Sequence, residues 1–115
     1  MIKRTSIAAL SLSAATLVGI ALYEGYRDDA YTPVPGDVLT VGFGHTGPDV
    51  RPGTTTTPTR ALVTLLADAG AAERAVRRCA PVPMFQHEFD AYVSLTVNIG
   101  ERAFCGSTLA RKLNA

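Results

Sequence analysis

Hydrophobic residues recur at helical spacing in the second half of the chain. From residue 58 to about residue 78, apolar side chains return every three or four positions, which predicts a long amphipathic helix. Thr57 and the proline after it suit the start of this helix, because threonine caps helices and proline is tolerated at the first helical position. A second amphipathic pattern follows residues 81–83, where two prolines flank a valine, and ends near Gly100. Ser107 is expected to cap a last short helix.

The segment between residues 31 and 45 has a different pattern. Its prolines exclude a helix, and the proline-glycine-aspartate sequence ending at Asp37 marks a turn. Residues 38–43 favour a strand, and Gly42 and Gly44 are positions where the backbone is expected to bend or to pass close to another group. A loop follows and leads into the long helix. The sequence therefore predicts an α+β fold, mostly helical, with a small N-terminal β-hairpin or sheet and a long connecting helix.

A pair of cations precedes an uncharged run over residues 5–23, which is the layout of a bacterial signal peptide or signal anchor. The run is roughly long enough to cross a bilayer as a helix, although its serines, threonines and glycine make it weakly apolar. Apolar residues at helical spacing predict one continuous helix that carries Glu24 on its apolar face. We therefore expect a signal-anchor segment over residues 1–23 and an exported domain over residues 24–115. A cleaved signal, cut near residues 19–21, is the alternative.

Composition narrows the functions open to the chain. At 115 residues, with 47% hydrophobic residues and a formal net charge of +1, it fits one small domain. The near-neutral charge supplies no basic surface, so no nucleic-acid partner is expected. The sequence contains neither a zinc-type cysteine spacing nor a phosphate-binding glycine loop. No metal and no cofactor are therefore expected.

Glu24 lies at the junction between the apolar run and the turn-rich segment. Partial desolvation at a helix end raises the pKa of a carboxyl, which would let Glu24 keep its proton near neutral pH and act as a general acid. A solvated helix end with no catalytic role is the alternative.

Cys79 and Cys105 are the two cysteines of the chain. In an exported protein an even pair is expected to form a disulfide. Closing that loop would stabilise the fold by roughly 3 kcal/mol. A catalytic cysteine is the alternative, but the sequence offers it no convincing histidine partner.

Two ordered sets of motifs resemble a known family. The first set comprises Glu24-Gly25, Ala30-Tyr31 and the Thr-Val-Gly-Phe-Gly-His-Thr-Gly sequence of residues 40–47. The second set comprises Phe89-Asp90-Ala91-Tyr92-Val93-Ser94-Leu95, Asn98-Ile99-Gly100 and the Ser-Thr-Leu-Ala-Arg-Lys-Leu-Asn sequence of residues 107–114. Together they resemble the phage lysozymes of glycoside hydrolase family 24, and the apolar segment before them resembles that of signal-anchor-release endolysins. The resemblance implies a lysozyme-like catalytic domain that acts on peptidoglycan glycan strands.

The same resemblance implies roles for individual side chains. Glu24 corresponds to the general acid, and Thr40 to the threonine that helps to hold the attacking water. A proline occupies the position of the family's aspartate, so Asp37, in the same turn, is expected to supply the second carboxylate. Asp28 and Asp29 are the rival candidates, although they are more typical of a solvated turn.

His45 titrates near neutral pH and is therefore a possible acid-base group. The resemblance favours a structural role instead, in which His45 pairs with Asp68 on the long helix. Tyr31, Thr46 and Ser107 are the candidate substrate-binding residues. The ring of Tyr31 would either form a wall of the cleft or pack beneath it.

Three hypotheses follow. The first is an inverting muramidase, a monomer tethered to the inner membrane of the host through residues 5–23 and then released to the periplasm, which cleaves peptidoglycan during lysis. The second is a truncated, inactive prophage remnant anchored in the membrane, because family members continue beyond the motif that ends at Asn114. The third is a small holin-like membrane protein, suggested by residues 5–23 alone.

Overall fold

The computed structural model describes residues 2–115. Within this range the chain forms five α-helices and a two-stranded antiparallel sheet. In chain order the elements are α1 (Ala14–Glu24), β1 (Arg27–Tyr31), β2 (Thr40–Gly42), α2 (Pro58–Cys79), α3 (Gln86–Ile99), α4 (Glu101–Cys105) and α5 (Thr108–Leu113), with a short 3₁₀ helix at Ile7–Ala9. The predicted α+β class, mostly helical with a small sheet and a long helix, is confirmed.

The described residues form two compact units. The helical unit comprises the described residues up to Leu17 together with Ala69–Ala115, and the sheet unit comprises Val18–Asp68. Helices α1 and α2 each contribute residues to both units. The candidate site residues between Glu24 and Asp68 therefore belong to the sheet unit. Ser107 and the two cysteines belong to the helical unit.

The core of the helical unit consists of apolar side chains from its helices and from the proline-rich link before α3. The largest fully buried side chains are those of Phe89, Phe104, Met84, Val76 and Val93. Full burial of a side chain of this size stabilises a fold by roughly 1.5–3 kcal/mol. The helical spacing of Phe89 and Val93 places both on the buried face of α3.

A disulfide joins Cys79 at the end of α2 to Cys105 at the end of α4, with Cα atoms 5.2 Å apart. The side chain of Asn114 donates hydrogen bonds to the carbonyl oxygens of Cys79 at 2.7 Å and Ala110 at 2.9 Å, which ties the end of α5 to the end of α2. The hydrophobic pattern did not predict α4. That helix has only five residues and begins directly after Gly100, so it is too short to show a helical period.

The prediction of one continuous helix from the apolar run to Glu24 is wrong. Helix α1 begins at Ala14, and the side-chain oxygen of Ser13 accepts a hydrogen bond from the Thr16 amide at 3.2 Å, as a helix cap does. Further upstream, Thr5 is extended and exchanges two backbone hydrogen bonds with Met84, at 2.8 and 2.9 Å. Side-chain capping and a backbone bridge to a residue far along the chain thus override the local helical period.

The segment before α1 packs within the helical unit. Leu10 is buried in the hydrophobic core. Asp90 on α3 accepts hydrogen bonds from the backbone amide of Ser13 at 3.0 Å and from its hydroxyl at 2.8 Å. Arg4 forms an ion pair with Glu88, and hydrogen bonds from Arg4 and from the Phe85 amide lower the pKa of Glu88 to about 2. Among the described residues, no helix combines the length and the apolar character needed to cross a membrane.

In the sheet unit, β1 and β2 pair antiparallel, with Arg27 opposite Gly42 and Tyr31 opposite Thr40. The register shifts between these pairs, so the ladder is irregular between Arg27 and Tyr31. Asp29 on β1 also forms a backbone bridge to Thr55. The loop that precedes α2 is therefore held along the outer side of the small sheet.

Candidate active site

Glu24 is the last residue of α1, and its side chain is half-buried. Burial raises the pKa of its carboxyl. Gly25, which follows, has a φ of 70°, a left-handed conformation that ends the helix and turns the chain into β1. The helix end thus presents a carboxyl that favours the protonated form more than an ordinary glutamate does.

The carboxyl of Glu24 lies directly against Gly44. Val41 and His45 exchange two backbone hydrogen bonds, at 3.0 and 2.9 Å, which close a tight turn over the three residues between them. Gly44 has a φ of 78°, and a Cβ atom on it would lie 2.6 Å from Glu24 Oε2. Both glycines of this turn make the expected close approach: Gly42 lies against Ala61, and Gly44 lies against the candidate acid.

Thr40 begins β2 and is buried. Its hydroxyl donates a hydrogen bond to the carbonyl oxygen of Val38 at 3.2 Å. This bond uses the hydroxyl proton, so the oxygen of Thr40 keeps lone pairs that could accept a hydrogen bond from water.

Asp37 lies on the exposed turn between the strands. Its amide donates to the carbonyl oxygen of Val34 at 3.1 Å, and its Oδ1 accepts from the Val38 amide at 2.8 Å. The described hydrogen bonds of Asp37 are thus local to its own turn. Asp28 and Asp29, the rival candidates, are exposed on β1.

His45 lies between two carboxylates. Its Nδ1 is 2.8 Å from Asp68 Oδ2 on α2, the pairing that the family resemblance implies, and its Nε2 is 2.9 Å from Asp49 Oδ2. Burial by itself lowers the pKa of His45, but hydrogen bonds to Asp68 and Asp49 outweigh it, so the net pKa is raised. The hydrogen bond from His45 also lowers the pKa of Asp49. Two carboxylate partners suit an imidazolium that donates from both nitrogens.

Sequence reasoning missed Asp49. The available signal was an aspartate four residues after His45, in a loop that must fold back before the long helix. The position carried no motif, so only the folded loop brings Asp49 to the second ring nitrogen.

The candidate substrate-binding residues lie in different surroundings. Tyr31 ends β1 and is half-buried, with the guanidinium carbon of Arg27 4.3 Å from its ring centroid. Thr46 is exposed and lines a shallow cleft beside Val38. The hydroxyl of Ser107 accepts from the Ala110 amide at 3.0 Å, and so caps α5 as predicted. It also donates to the Phe104 carbonyl oxygen at 2.6 Å. Both hydrogen bonds of the Ser107 hydroxyl thus serve the fold of the helical unit.

An aromatic contact that the sequence did not suggest lies beside Glu24. The rings of Tyr26 and Phe43 have centroids 5.3 Å apart and planes inclined by 54°. The Tyr26 hydroxyl is buried and has no hydrogen-bond partner among the described residues. Burial, followed by the charges of Asp28 and Asp29, raises its pKa.

The arrangement in the sheet unit can supply acid catalysis. A half-buried carboxyl with a raised pKa can hold a proton for a leaving oxygen. Thr40 and the exposed Asp37 lie on the same hairpin and carry oxygens of the kind that orient water in glycoside hydrolysis.

Comparison with known proteins identifies the family. The phage lysozyme family model matches residues 21–115. The chain is 36% identical over 109 residues to an endolysin of Salmonella phage P22, which covers 91% of this chain and 74% of that protein. It is 31% identical over 121 residues to a SAR-endolysin of Bacteriophage PS34, which covers 98% and 72%. The muramidase domain of SpmX from Asticaccaulis excentricus superposes with a TM-score of 0.76 at 33% identity, covering 91% of this chain and 70% of that one. The chain therefore belongs to the phage lysozyme family.

Proposed function

We propose that this chain is an endolysin that hydrolyses the β-1,4 bond between N-acetylmuramic acid and N-acetylglucosamine in peptidoglycan. As a member of the phage lysozyme family it is a glycoside hydrolase, and its endolysin and muramidase relatives support a peptidoglycan substrate. The observation that carries the proposal is the half-buried Glu24 carboxyl, seated on Gly44 with a raised pKa.

In the proposed reaction Glu24 is the general acid. Its proton passes to the glycosidic oxygen as the bond to the anomeric carbon breaks, and the carboxylate remains. The raised pKa supports this role, because an acid catalyst must still hold its proton at the pH of the reaction.

Water would complete hydrolysis from the opposite face of the sugar. Thr40 is proposed to hold that water through its hydroxyl oxygen, since the hydroxyl proton is already donated to the Val38 carbonyl oxygen. Asp37 is proposed as the base that accepts a proton from the water. Its described hydrogen bond uses Oδ1 alone, which leaves Oδ2 for this role. Attack by water on the opposite face inverts the anomeric centre.

Glu24→Gln tests the acid assignment, because glutamine keeps the shape of the side chain but has no proton to donate. We expect kcat for peptidoglycan cleavage to fall by about a hundredfold or more. Glu101→Gln is the matched control, since Glu101 lies in the helical unit in an exposed ion pair with Arg78. Equal clearing of a peptidoglycan zymogram by Glu24→Gln and the parent chain would remove Glu24 from the mechanism. A parent chain that folds but clears nothing would favour the inactive prophage remnant.

The N-terminal segment is proposed to act first as a releasable membrane anchor and then as part of the folded enzyme, without being cleaved. Its likeness to a SAR-endolysin supports the anchor. Retention is supported by the burial of Leu10 in the core and by the hydrogen bonds from Ser13 to Asp90. In this scheme residues 1–23 tether the chain to the inner membrane, residues 24–115 hydrolyse the glycan, and release delivers the enzyme to the periplasm.

Fractionation of expressing cells, with intact-mass measurement, tests this scheme. Before depolarisation of the membrane we expect full-length chain in the membrane fraction, and afterwards full-length chain in the soluble periplasm. A product that lacks the residues before a cut near position 21 would show a cleaved signal. Permanent residence in the bilayer would favour the holin-like hypothesis.

A further inference from the structure

The contact between Tyr26 and Phe43 joins the two chain segments that meet at Glu24. Tyr26 lies two residues after Glu24, and Phe43 immediately precedes Gly44, the residue on which the Glu24 carboxyl rests. The ring centroids are 5.3 Å apart. The aromatic pair therefore connects the end of α1 to the turn that seats the carboxyl.

Gly25, between Glu24 and Tyr26, offers no side chain for packing, although its amide donates to the Ala21 carbonyl oxygen at 3.0 Å. Gly25 is exposed, and a Cβ atom built on it would meet no described atom within 4 Å. Tyr26 is thus the first packed residue after the carboxyl. On the other side, Gly42 and Gly44 both have positive φ, at 65° and 78°, so Phe43 is the side chain through which this turn can be packed.

We propose that Tyr26 and Phe43 form an aromatic brace that positions Glu24 on Gly44 and keeps water from its carboxyl. The brace deepens the proposed function, since it concerns the same acid, and it makes Tyr26 and Phe43 positioning residues that act through Glu24. Offset or tilted aromatic pairs are favourable contacts with a defined geometry, which suits them to fix the side-chain packing of two segments whose backbones already pair at Arg27 and Gly42.

The ring of Tyr26, and not its hydroxyl, provides the brace. The hydroxyl is buried without a hydrogen-bond partner among the described residues, so its removal breaks no described bond. Tyr26→Phe should therefore retain the position of the carboxyl, whereas Tyr26→Leu should loosen it. Asp28 and Asp29, the charged groups that act on Tyr26, remain in both variants.

Loosening the brace should change the environment of Glu24 as well as its position. Burial is the cause of the raised pKa of Glu24. If the helix end and the turn separate, water reaches the carboxyl and its pKa falls toward the ordinary range of a glutamate. Because a general acid must be protonated, the basic limb of the pH-rate profile should then move to lower pH.

The experiment compares Tyr26→Leu, Phe43→Leu and Tyr26→Phe with the parent chain. Phe85→Leu is the matched control, since Phe85 is a half-buried ring in the helical unit that stacks on His87. Thermal melting identifies the folded variants, and Tyr26→Met replaces Tyr26→Leu should the latter unfold. For each folded variant, kcat and KM are measured across pH, and the Glu24 carboxyl is titrated directly by carbon-13 NMR.

We expect kcat of both leucine variants to fall by between about tenfold and about a hundredfold with KM little changed, since a small displacement of a catalytic group affects mainly the chemical step. The Glu24 pKa and the basic limb should both move down in these variants, and should stay at the parent values in Tyr26→Phe and Phe85→Leu. Folded leucine variants with the parent pKa and pH profile would overturn the brace. If Glu24→Gln still clears peptidoglycan, the acid assignment fails, while the NMR titration still decides whether the brace holds the carboxyl.

Discussion

Replacing Gly44 with alanine introduces one methyl group at the surface that supports the candidate acid. The added Cβ atom would lie 2.6 Å from Oε2, 2.8 Å from Cδ and 3.0 Å from Cγ of Glu24. It would also occupy a residue whose φ is 78°. The substitution therefore has two separable effects, one on the backbone and one on the carboxyl.

Both effects have a size that follows from the geometry. An alanine in the left-handed region costs roughly 1–2 kcal/mol, which should appear as lost stability. Unstrained contacts between such atoms begin at about 3.5 Å, so the Glu24 carboxyl must move by about 1 Å. A displacement of about 1 Å can lower the rate by about a hundredfold. We expect Gly44→Ala to lose that much in kcat for peptidoglycan hydrolysis while it remains folded.

Gly53→Ala separates the two effects, because Gly53 has a φ of 86° and a Cβ atom there would meet nothing within 4 Å. Urea unfolding and a turbidimetric assay on purified peptidoglycan measure stability and rate. We expect Gly44→Ala and Gly53→Ala to lose similar amounts of stability, and only Gly44→Ala to lose rate. Gly44→Ala with the parent kcat, or an equal loss of kcat in Gly53→Ala, would refute the argument that the carboxyl must rest on a glycine.

Three further predictions concern stability. Because the folded-state pKa of His45 is raised above its ordinary 6.5, its stabilising effect should be fully present below pH 6.5 and be lost as the pH rises through the raised value. Asp49→Asn should reduce this loss of stability, because Asp49 is one of the two carboxylates that raise the pKa of His45. Thermal melts in which the variant and the parent chain show the same pH dependence would contradict this prediction. Replacing both Cys79 and Cys105 with serine should lower the free energy of unfolding by about 3.5 kcal/mol, because the disulfide closes a loop with a sequence separation of 26. A urea midpoint equal to that of the parent chain under oxidising conditions would contradict this prediction. Leu10→Ala should cost about 2–3 kcal/mol through the cavity it leaves in the core, and a variant as stable as the parent would show that the N-terminal segment is not part of that core.

Much of the helical unit could be predicted because its signals are local. The long amphipathic pattern, with proline at its first position, marked α2, and Ser107 marked the start of α5 as a side-chain cap. Capping and helical periodicity depend on neighbours within a few residues, so the sequence carries them directly. Ordered motifs, among them the one that begins at Glu24, likewise indicated the family of the chain.

The same local period was misleading before Ser13. Apolar residues there do follow a helical spacing, yet Leu10 enters the core in an irregular segment because Thr5 pairs with Met84, far along the chain. A residue's partner at such a distance is decided by how the whole chain packs, and no local pattern encodes it.

For the candidate site, the sequence by itself determined the residue types: an acid at the end of a helix, a glycine-rich turn and a histidine, whose pairing with Asp68 the family resemblance implied. Only the tertiary structure decided that the acid rests on Gly44, that Asp49 occupies the second nitrogen of His45, and that Tyr26 packs on Phe43. Each of these contacts joins residues on different turns or elements. The distances between the partners depend on how the hairpin and the loop after it fold back on the chain. Sequence thus specified the chemistry available to this lysozyme, and the fold specified which groups meet.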